Sequence, residues 1–413
     1  MRSNYKPIGS YIRLVDDRNK DLKVTTLLGL SISKVFIPSV ANIIGSDMAN
    51  YKIIKKGQFS CSLMQVRRDK KIPVALLRDF EAAIISQAYP VFEIKDQDEL
   101  LPEYLMMWMS RSEFDRHACF LAVGGVRGSL EWEDFCKMEL PVPSIEKQRE
   151  IVREYSTIVN RIALNEQLNQ KLEETAQAIY KHWFVDFEFP ISAEYAASIG
   201  KPELEGKCYK SSGGEMVFSE ELGKEIPNIF NTGFLKHIAT YTKNRVALSE
   251  LNLNNYISTE NMYPERGGIG LASTLPTSKS VSKFNVGDIL ISNIRPYFKK
   301  IWKAEFEGGC SNDVLCIAAN NPSFRAFLYQ TLEPDAFFNY VMNGSKGTKM
   351  PRGDKAWIMK YPVIIPDTKT LEKYNQVYTG IYKFKSEHNA ENISLSGFSS
   401  VFLSQMTLRG KVA

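Results

Sequence analysis

The chain has 413 residues, 44% hydrophobic and 24% charged, with a net charge of +5. That length exceeds the usual size of a single core, so two or three domains are expected, and the ordinary composition excludes an intrinsically disordered chain. No apolar run reaches the ~18 residues of a membrane span and MRSNYKPIGS lacks the apolar stretch of a signal peptide, so a cytoplasmic protein with no membrane partner is expected.

The charge divides unevenly: +2 over residues 1–143, −5 over 144–225, +6 over 226–366 and +2 over 367–413. Two neutral-to-basic bodies flank an acidic stretch, and basic bodies suit a polyanionic partner. Six cysteines, Cys61, Cys119, Cys136, Cys208, Cys310 and Cys316, form no CxxC pair and are expected as free thiols with no metal site.

In chain order, residues 11–59 alternate short apolar runs with turn residues and read as strands. Residues 56–66, KGQFSCSLMQV, form a further strand, followed by the basic segment QVRRDKK. EAAIISQAYPVFEI, 81–94, suggests a second strand pair. Leu101, Tyr104, Leu105, Trp108 and Met109 recur at three and four residues, predicting a helix within 99–119. The loop VGGVRGS, 123–129, leads to Pro141 and Pro143.

The next stretch reads as one long helix. Ile151, Ile158, Asn165, Leu172 and Ile179 recur every seven residues, with Tyr155, Ile162, Asn169, Ala176 and Trp183 four residues after each. This is a coiled-coil seam interrupted by asparagines, where buried polar groups fix register rather than add stability. From residue 145 to 183 it would span roughly 58 Å at ~1.5 Å per residue, and a helix of that length needs a partner.

Residues 190–225 are rich in Gly, Ser and charge and read as a linker with little core of its own. The second body opens with strand-like FLKHIATYT. VGDILISNIRPYFKKIW, 286–302, is a hairpin turning at Arg295-Pro296, and EGGCSNDVLCIAA, 307–319, is its neighbouring strand. A helix at 323–332, the loop MNGSKGTKMPRGDK, Pro362 and Pro366 complete the body.

A shift of 223 places Pro143 on Pro366 and superimposes the heptads. The first seam row falls on Tyr374, Ile381, His388, Leu395 and Phe402, the second on Tyr378, Lys385, Asn392, Ser399 and Met406. The loop at Gly124/Gly125 resembles that at Gly344/Gly347. The chain is therefore a tandem duplication of compact body and long helix, with pseudo-two-fold symmetry and antiparallel pairing of the helices expected, polar centre on polar centre around Asn165, Asn169, His388 and Asn392. The expected fold class is α+β: two mixed, β-rich bodies separated by an intramolecular coiled coil. The boundaries are 1–143, 144–189 for the central helix, 190–225, 226–366, and 367–413 for the C-terminal helix.

Catalytic signatures are missing. GSKGTKM lacks the spacing of a phosphate loop, NPSF at Asn321 lacks the second proline of an amino-methylating motif, and the four histidines form no HExxH pair. Asp367, beside Pro366 at a helix start, has no well-spaced acidic-x-Lys partner. Binding candidates remain. Arg67, Arg68, Lys70 and Lys71 follow a strand in the first body; Arg295, Lys299 and Lys300 occupy the equivalent hairpin in the second, with Lys346, Lys349 and Arg352 in the basic loop beyond. Either cluster alone reads as a solvated turn, but recurrence in both repeats points to phosphate contacts. Gln65 and Arg127 in the first body, and Ser292, Asn293, Asn343 and Ser345 in the second, have the donors and acceptors to read base edges.

PVPSIEKQREIV leading into IVNRIALNEQLNQKLEETAQAIYKHWFVDFEF resembles the central conserved region of the specificity subunits of type I restriction-modification systems. GEMVFSEELGKEIPNIF, NNYISTENM, VGDILISNIRPYFKKI and GGCSNDVLCIA resemble the second target-recognition domain of that family. The second helix departs from the pattern, with Leu371 where Gln148 aligns and Met406 where Trp183 aligns.

The resemblance implies a non-catalytic subunit. Each target-recognition domain would read one half of a bipartite, asymmetric site in double-stranded DNA, the paired helices would set the unread gap, and two modification (methyltransferase) subunits would dock along the helices, with restriction subunits joining them. S-adenosylmethionine, ATP and magnesium are expected on those partners, with no cofactor in this chain. The rival readings are a stand-alone DNA-modifying enzyme with fused recognition domains, for which the repeat leaves no room, and a coiled-coil protein scaffold that binds no DNA.

Overall fold

The computed structural model describes residues 5–39, 47–124, 128–347 and 349–409. It divides into two compact units, one formed by the chain up to Gln167 together with the residues from His388, the other by Leu168–Glu387. The division falls within the two long helices, Ile145–Phe184 and Thr368–Arg409, so each unit owns half of each helix.

The first unit is built on an antiparallel sheet in the order Ile12–Val15, Val91–Ile94, Phe59–Cys61, Val74–Leu76. Its aromatic residues face inwards: Phe59 stacks on Phe92 at 5.0 Å, and Phe135 meets Phe92 edge-on at 5.7 Å. Each such buried ring contributes roughly 1.5–3 kcal/mol through the apolar surface it removes from water. Helices Pro102–Met109 and Ser112–Leu121 cover this layer. The same core takes in Ile151 from the first long helix and Phe402 and Met406 from the second, so body and helices share one apolar cluster.

The second unit repeats the plan. Its antiparallel sheet runs Ala239–Tyr241, Val314–Ala319, Ile289–Ser292, Ile301–Lys303, the same order of equivalent strands. The pair Tyr5–Pro7 with Glu139–Pro141 has its counterpart in Asn231–Phe234 with Pro362–Ile365. Each pair joins the opening of a body to the strand that leads into a long helix.

Those helices start differently. Gln148, fully buried, donates to the carbonyls of Glu99 at 2.9 Å and Pro143 at 3.0 Å and accepts from the Leu101 amide at 3.0 Å, fastening the first helix to its body. In the second, Asp367 caps the helix by accepting from the amides of Lys369 at 2.9 Å and Thr370 at 3.1 Å, and the aligned Leu371 is simply buried.

The seam forms on the expected face. In the first unit Tyr155 packs on Phe402 with ring centres 5.8 Å apart, Arg161 grips Glu391 through two bonds of 3.0 and 2.9 Å, and the buried Asn165 amide donates to Glu391 at 2.7 Å and Asn392 at 2.9 Å. In the second unit Lys385 pairs with Glu173, and Tyr374 meets Tyr180, Trp183 and Phe184. Numbers rise along one helix as partners fall along the other, so the helices run antiparallel within each unit. Ile158, Ile162, Leu172, Ile179, Ile381, His388 and Leu395 are half-buried along the same rows.

Four details differ from the sequence reading. Ala82–Ile85 and Val91–Ile94 do not pair with one another; they belong to different sheets. Residues 307–319 form two strands, Gly308–Cys310 and Val314–Ala319, broken by the turn at Ser311 and again assigned to different sheets. FLKHIATYT begins as a helical turn, Leu235–Ile238, before its strand. Finally, the supposed linker 190–225 buries Ile191, Ala196 and Tyr209 in the second unit's core, with Tyr209 stacked on Phe189 at 4.7 Å. Its glycines serve tight turns, Gly200, Gly206 and Gly213 all having positive φ.

One buried acid makes the second unit sensitive to pH. Glu333, 7% exposed, takes hydrogen bonds from Gln177; burial and the neighbouring Glu173 carboxylate push it up to about 6. A carboxyl raised on folding holds its proton to a higher pH than in the unfolded chain, so its stabilising protonated form is lost as pH rises from ~4.5 through 6, a change of about 2 kcal/mol. Glu333→Gln is expected to flatten stability over that window and to raise it at pH 7, which urea unfolding between pH 4.5 and 7.5 measures. An unchanged slope would remove Glu333 as its source.

Candidate nucleic-acid interface

Each body carries the same local device. In the first, the strand Phe59–Cys61 leads to Gln65, φ 65°, a single helical turn Val66–Asp69, and Lys70, φ 52°. In the second, Ile289–Ser292 leads to Arg295, φ 50°, the turn Pro296–Phe298, and Lys299, φ 50°. Left-handed non-glycine residues are uncommon, and here a pair brackets a short turn in both bodies.

A loop clasps each turn. Val123 pairs with Ser129 in an isolated antiparallel bridge, and Lys346 pairs with Arg352 in another, both positions being related by the shift of 223. The residue before the far end of each bridge supplies a carbonyl to the turn: Gly128 accepts from the Val66 amide at 2.9 Å, and Pro351 accepts from the Arg295 amide at 2.9 Å. Gly128 has to be glycine, because a Cβ there would lie 2.6 Å from the Arg67 side chain.

The predicted residues divide according to what holds them. In the first body Arg67 donates to the Gly124 carbonyl at 3.1 Å, Arg68 pairs with Asp69 at 2.7 Å, Lys70 and Lys71 are exposed and Gln65 is half-buried. Arg127 lies outside the described residues. In the second body Ser292 is buried and donates to the Ile294 carbonyl at 3.2 Å, while Ser345 donates to Val341 at 2.8 Å. Both hydroxyls are occupied in local structure. Asn293 Oδ1 and Arg295 Nε are buried without a partner in the clasped turn. Asn343 is exposed at the end of the helix Asp335–Asn343.

The hairpin lysines are tied down. Lys299 pairs with Asp335 at 3.1 Å and Glu265 at 3.5 Å, and Lys300 donates to the Thr259 carbonyl at 2.7 Å, with burial pulling its pKa down. The loop cations stand further out. Lys346 pairs with Asp354 at 2.7 Å yet is 82% exposed, Arg352 meets Asp313 at 3.3 Å and is 53% exposed, and Lys349 is exposed. The clasp thus brings Asn293, Arg295, Lys346 and Arg352 together and turns Lys299 and Lys300 towards protein partners.

Two residues packed against these carried too little sequence signal to be found. Arg266 donates to the Glu333 carbonyl at 2.9 Å and pairs with Asp335 at 2.5 Å, sharing that carboxylate with Lys299. Trp357, 39% exposed, stacks on Tyr340 at 5.0 Å and lies so close over Gly344 that a Cβ there would be 2.1 Å from its ring. A glycine just before a basic loop was the one available clue.

With this geometry in view, residues 37–174 match the family described as type I restriction modification DNA specificity domain. Over those residues the chain carries a type I restriction-modification DNA specificity domain. It is similar to the HindI specificity subunit of Haemophilus influenzae, 29% identical over 148 residues, and to the MjaIX specificity subunit of Methanocaldococcus jannaschii, 27% identical over 131. The matched segments cover 35% and 32% of this chain and only 31% and 26% of those relatives. Its fold is that of a type I restriction-modification S subunit from M. genitalium, with a TM-score of 0.53 at 14% identity over 97% of this chain and 95% of the other. The family match spans the first body's clasped turn and most of the first long helix, and the specificity-subunit fold extends over both bodies. Among the described residues no helix is long and apolar enough to cross a membrane, and no group of His, Cys, Asp and Glu is arranged to hold a metal.

Proposed function

We propose that this chain is the DNA-reading, non-catalytic subunit of a type I restriction-modification complex. Each body reads one half of a bipartite site in double-stranded DNA, and the paired helices set the unread gap and dock two modification subunits, which restriction subunits join. S-adenosylmethionine, ATP and magnesium act on those partners, within the cytoplasm.

The observation that carries the reading is the clasped turn, present in both bodies of a chain whose residues 37–174 match a DNA specificity domain. Two copies of one surface device suit two half-sites better than a protein scaffold would. A left-handed turn pinned by a loop carbonyl presents side chains from a fixed backbone, which direct readout requires because hydrogen bonds to base edges tolerate displacements of only fractions of an ångström.

Methylation mapping tests it. DNA from cells carrying the modification gene, with and without this gene, is expected to show adenine methylation at a two-part motif only when both are present. Identical methylation in both strains would refute the assignment, and methyl transfer by the purified chain alone would restore the enzyme reading.

A further inference from the structure

The second unit holds a cavity of about 610 Å³ that the first unit's sequence does not reproduce. It is lined by Gly287 in the turn before the central strand, Lys303 at the end of the edge strand, Ser323 and Arg325 at the start of the helix Arg325–Leu332, and Asn375 and Tyr382 on the second long helix. The Lys303 ammonium sits over the faces of Tyr382 at 3.9 Å and Tyr378 at 4.5 Å and donates to the Tyr378 hydroxyl at 3.1 Å. Arg325 is exposed and runs across Gly287, where an added Cβ would meet its Cδ at 3.4 Å. Asn375 donates to the Ser323 carbonyl at 2.7 Å, fixing the helix start against the long helix.

Neither cation has a carboxylate within ion-pair distance among the described residues. Glu173 and Glu305 act on Lys303, and Asp288 on Arg325, only from beyond ion-pair distance; at the cavity itself the two cations repel each other and the more buried one loses hydration, so an anion between them is the complement that relieves both. The repeat shows that the fold does not require them. Leu76 ends the equivalent edge strand, Pro102 opens the equivalent eight-residue helix, and Val159 stands at Tyr382's place in the shift of 223. At these three positions the first unit carries uncharged side chains.

We propose that this cavity binds a phosphate-bearing small ligand, its anionic group held between the Lys303 ammonium and the Arg325 guanidinium. The volume is in the range of small-molecule sites. Burial holds Lys303 at about 8, with Glu173 and Glu305 raising it and Lys385 and Arg325 lowering it, while Tyr378 and Tyr382 keep their protons. Affinity is therefore expected to fall as pH rises above ~8 and the ammonium is lost.

The test is thermal unfolding of the full chain in inorganic phosphate and in adenosine monophosphate, each against potassium chloride at matched ionic strength. Phosphate or the nucleotide is expected to raise Tm beyond chloride, the stronger of the two showing whether the cavity takes the free ion or the ester. Lys303→Leu, which installs the first unit's residue, is expected to weaken the response at least tenfold in ligand concentration. Arg325→Ala, at an exposed position where folding is not at stake, is expected to do the same. A wild-type response no larger than with chloride overturns the proposal, as does an undiminished response in the Arg325→Ala variant.

Discussion

Replacing Phe184 by alanine is expected to destabilise the second unit by about 3–5 kcal/mol, the cost of removing a large aromatic side chain from a core that relaxes only partly. Phe184 is 1% exposed and ends the first long helix. Its ring meets Phe327 and Tyr374 edge-on, each at 4.9 Å, and Phe230 at 6.3 Å. One side chain therefore joins both long helices to the helix Arg325–Leu332 and to the strand region that opens the second body. Urea unfolding followed by tryptophan fluorescence measures the loss, since Trp183, Trp302 and Trp357 all lie in this unit. Phe398→Ala, on the second long helix but 64% exposed, is the control and is expected to change stability by no more than about 0.5 kcal/mol. A loss below about 1 kcal/mol for Phe184→Ala would show that the aromatic cluster does not organise this unit.

The helices were legible because their signal is long and periodic. A seven-residue repeat over some forty residues identifies a buried face, and Asn165, one of the two asparagines that break the pattern, proves to be joined to Glu391 and Asn392 across the seam. The repeat was equally legible: the shift of 223 that aligned the helices also relates Val123 with Ser129 to Lys346 with Arg352. Sheet membership was not. Ala82–Ile85 and Val91–Ile94 are both short apolar runs, and nothing local distinguishes a strand that turns back on its neighbour from one that crosses to another layer. Residues 190–225 misled for a related reason. Their glycines and serines have the composition of a linker, while three well-spaced apolar side chains decide that the segment is core.

The same limit applies to charge. Sequence identifies Lys299 and Lys300 as basic but cannot reveal that Asp335, Glu265 and the Thr259 carbonyl already hold them. An ion pair between residues far apart in the chain leaves no mark at either position. The structure therefore ranks cations that composition treats as equal.

That ranking gives the second large effect. Replacing Lys346, Lys349 and Arg352 together by alanine is expected to weaken DNA binding most at low salt and to reduce its salt dependence. Each phosphate that the protein no longer neutralises takes ~0.9 from the slope of log affinity against log salt, so three take ~2.7. Between 50 and 200 mM salt, wild-type affinity should then fall about 40-fold further than that of the triple variant. The backbone of the clasp is expected to survive, because its bridge runs through the amides and carbonyls of Lys346 and Arg352 and not through their side chains. Lys299→Ala with Lys300→Ala should change the slope less, since those ammonium groups are engaged by Asp335 and Thr259 and must leave them to meet a phosphate. Titrations of the assembled complex on its target duplex at several salt concentrations separate the two variants. Equal slopes for the triple variant and wild type would remove the loop from the phosphate interface, and a larger change in the double variant would move that interface to the hairpin.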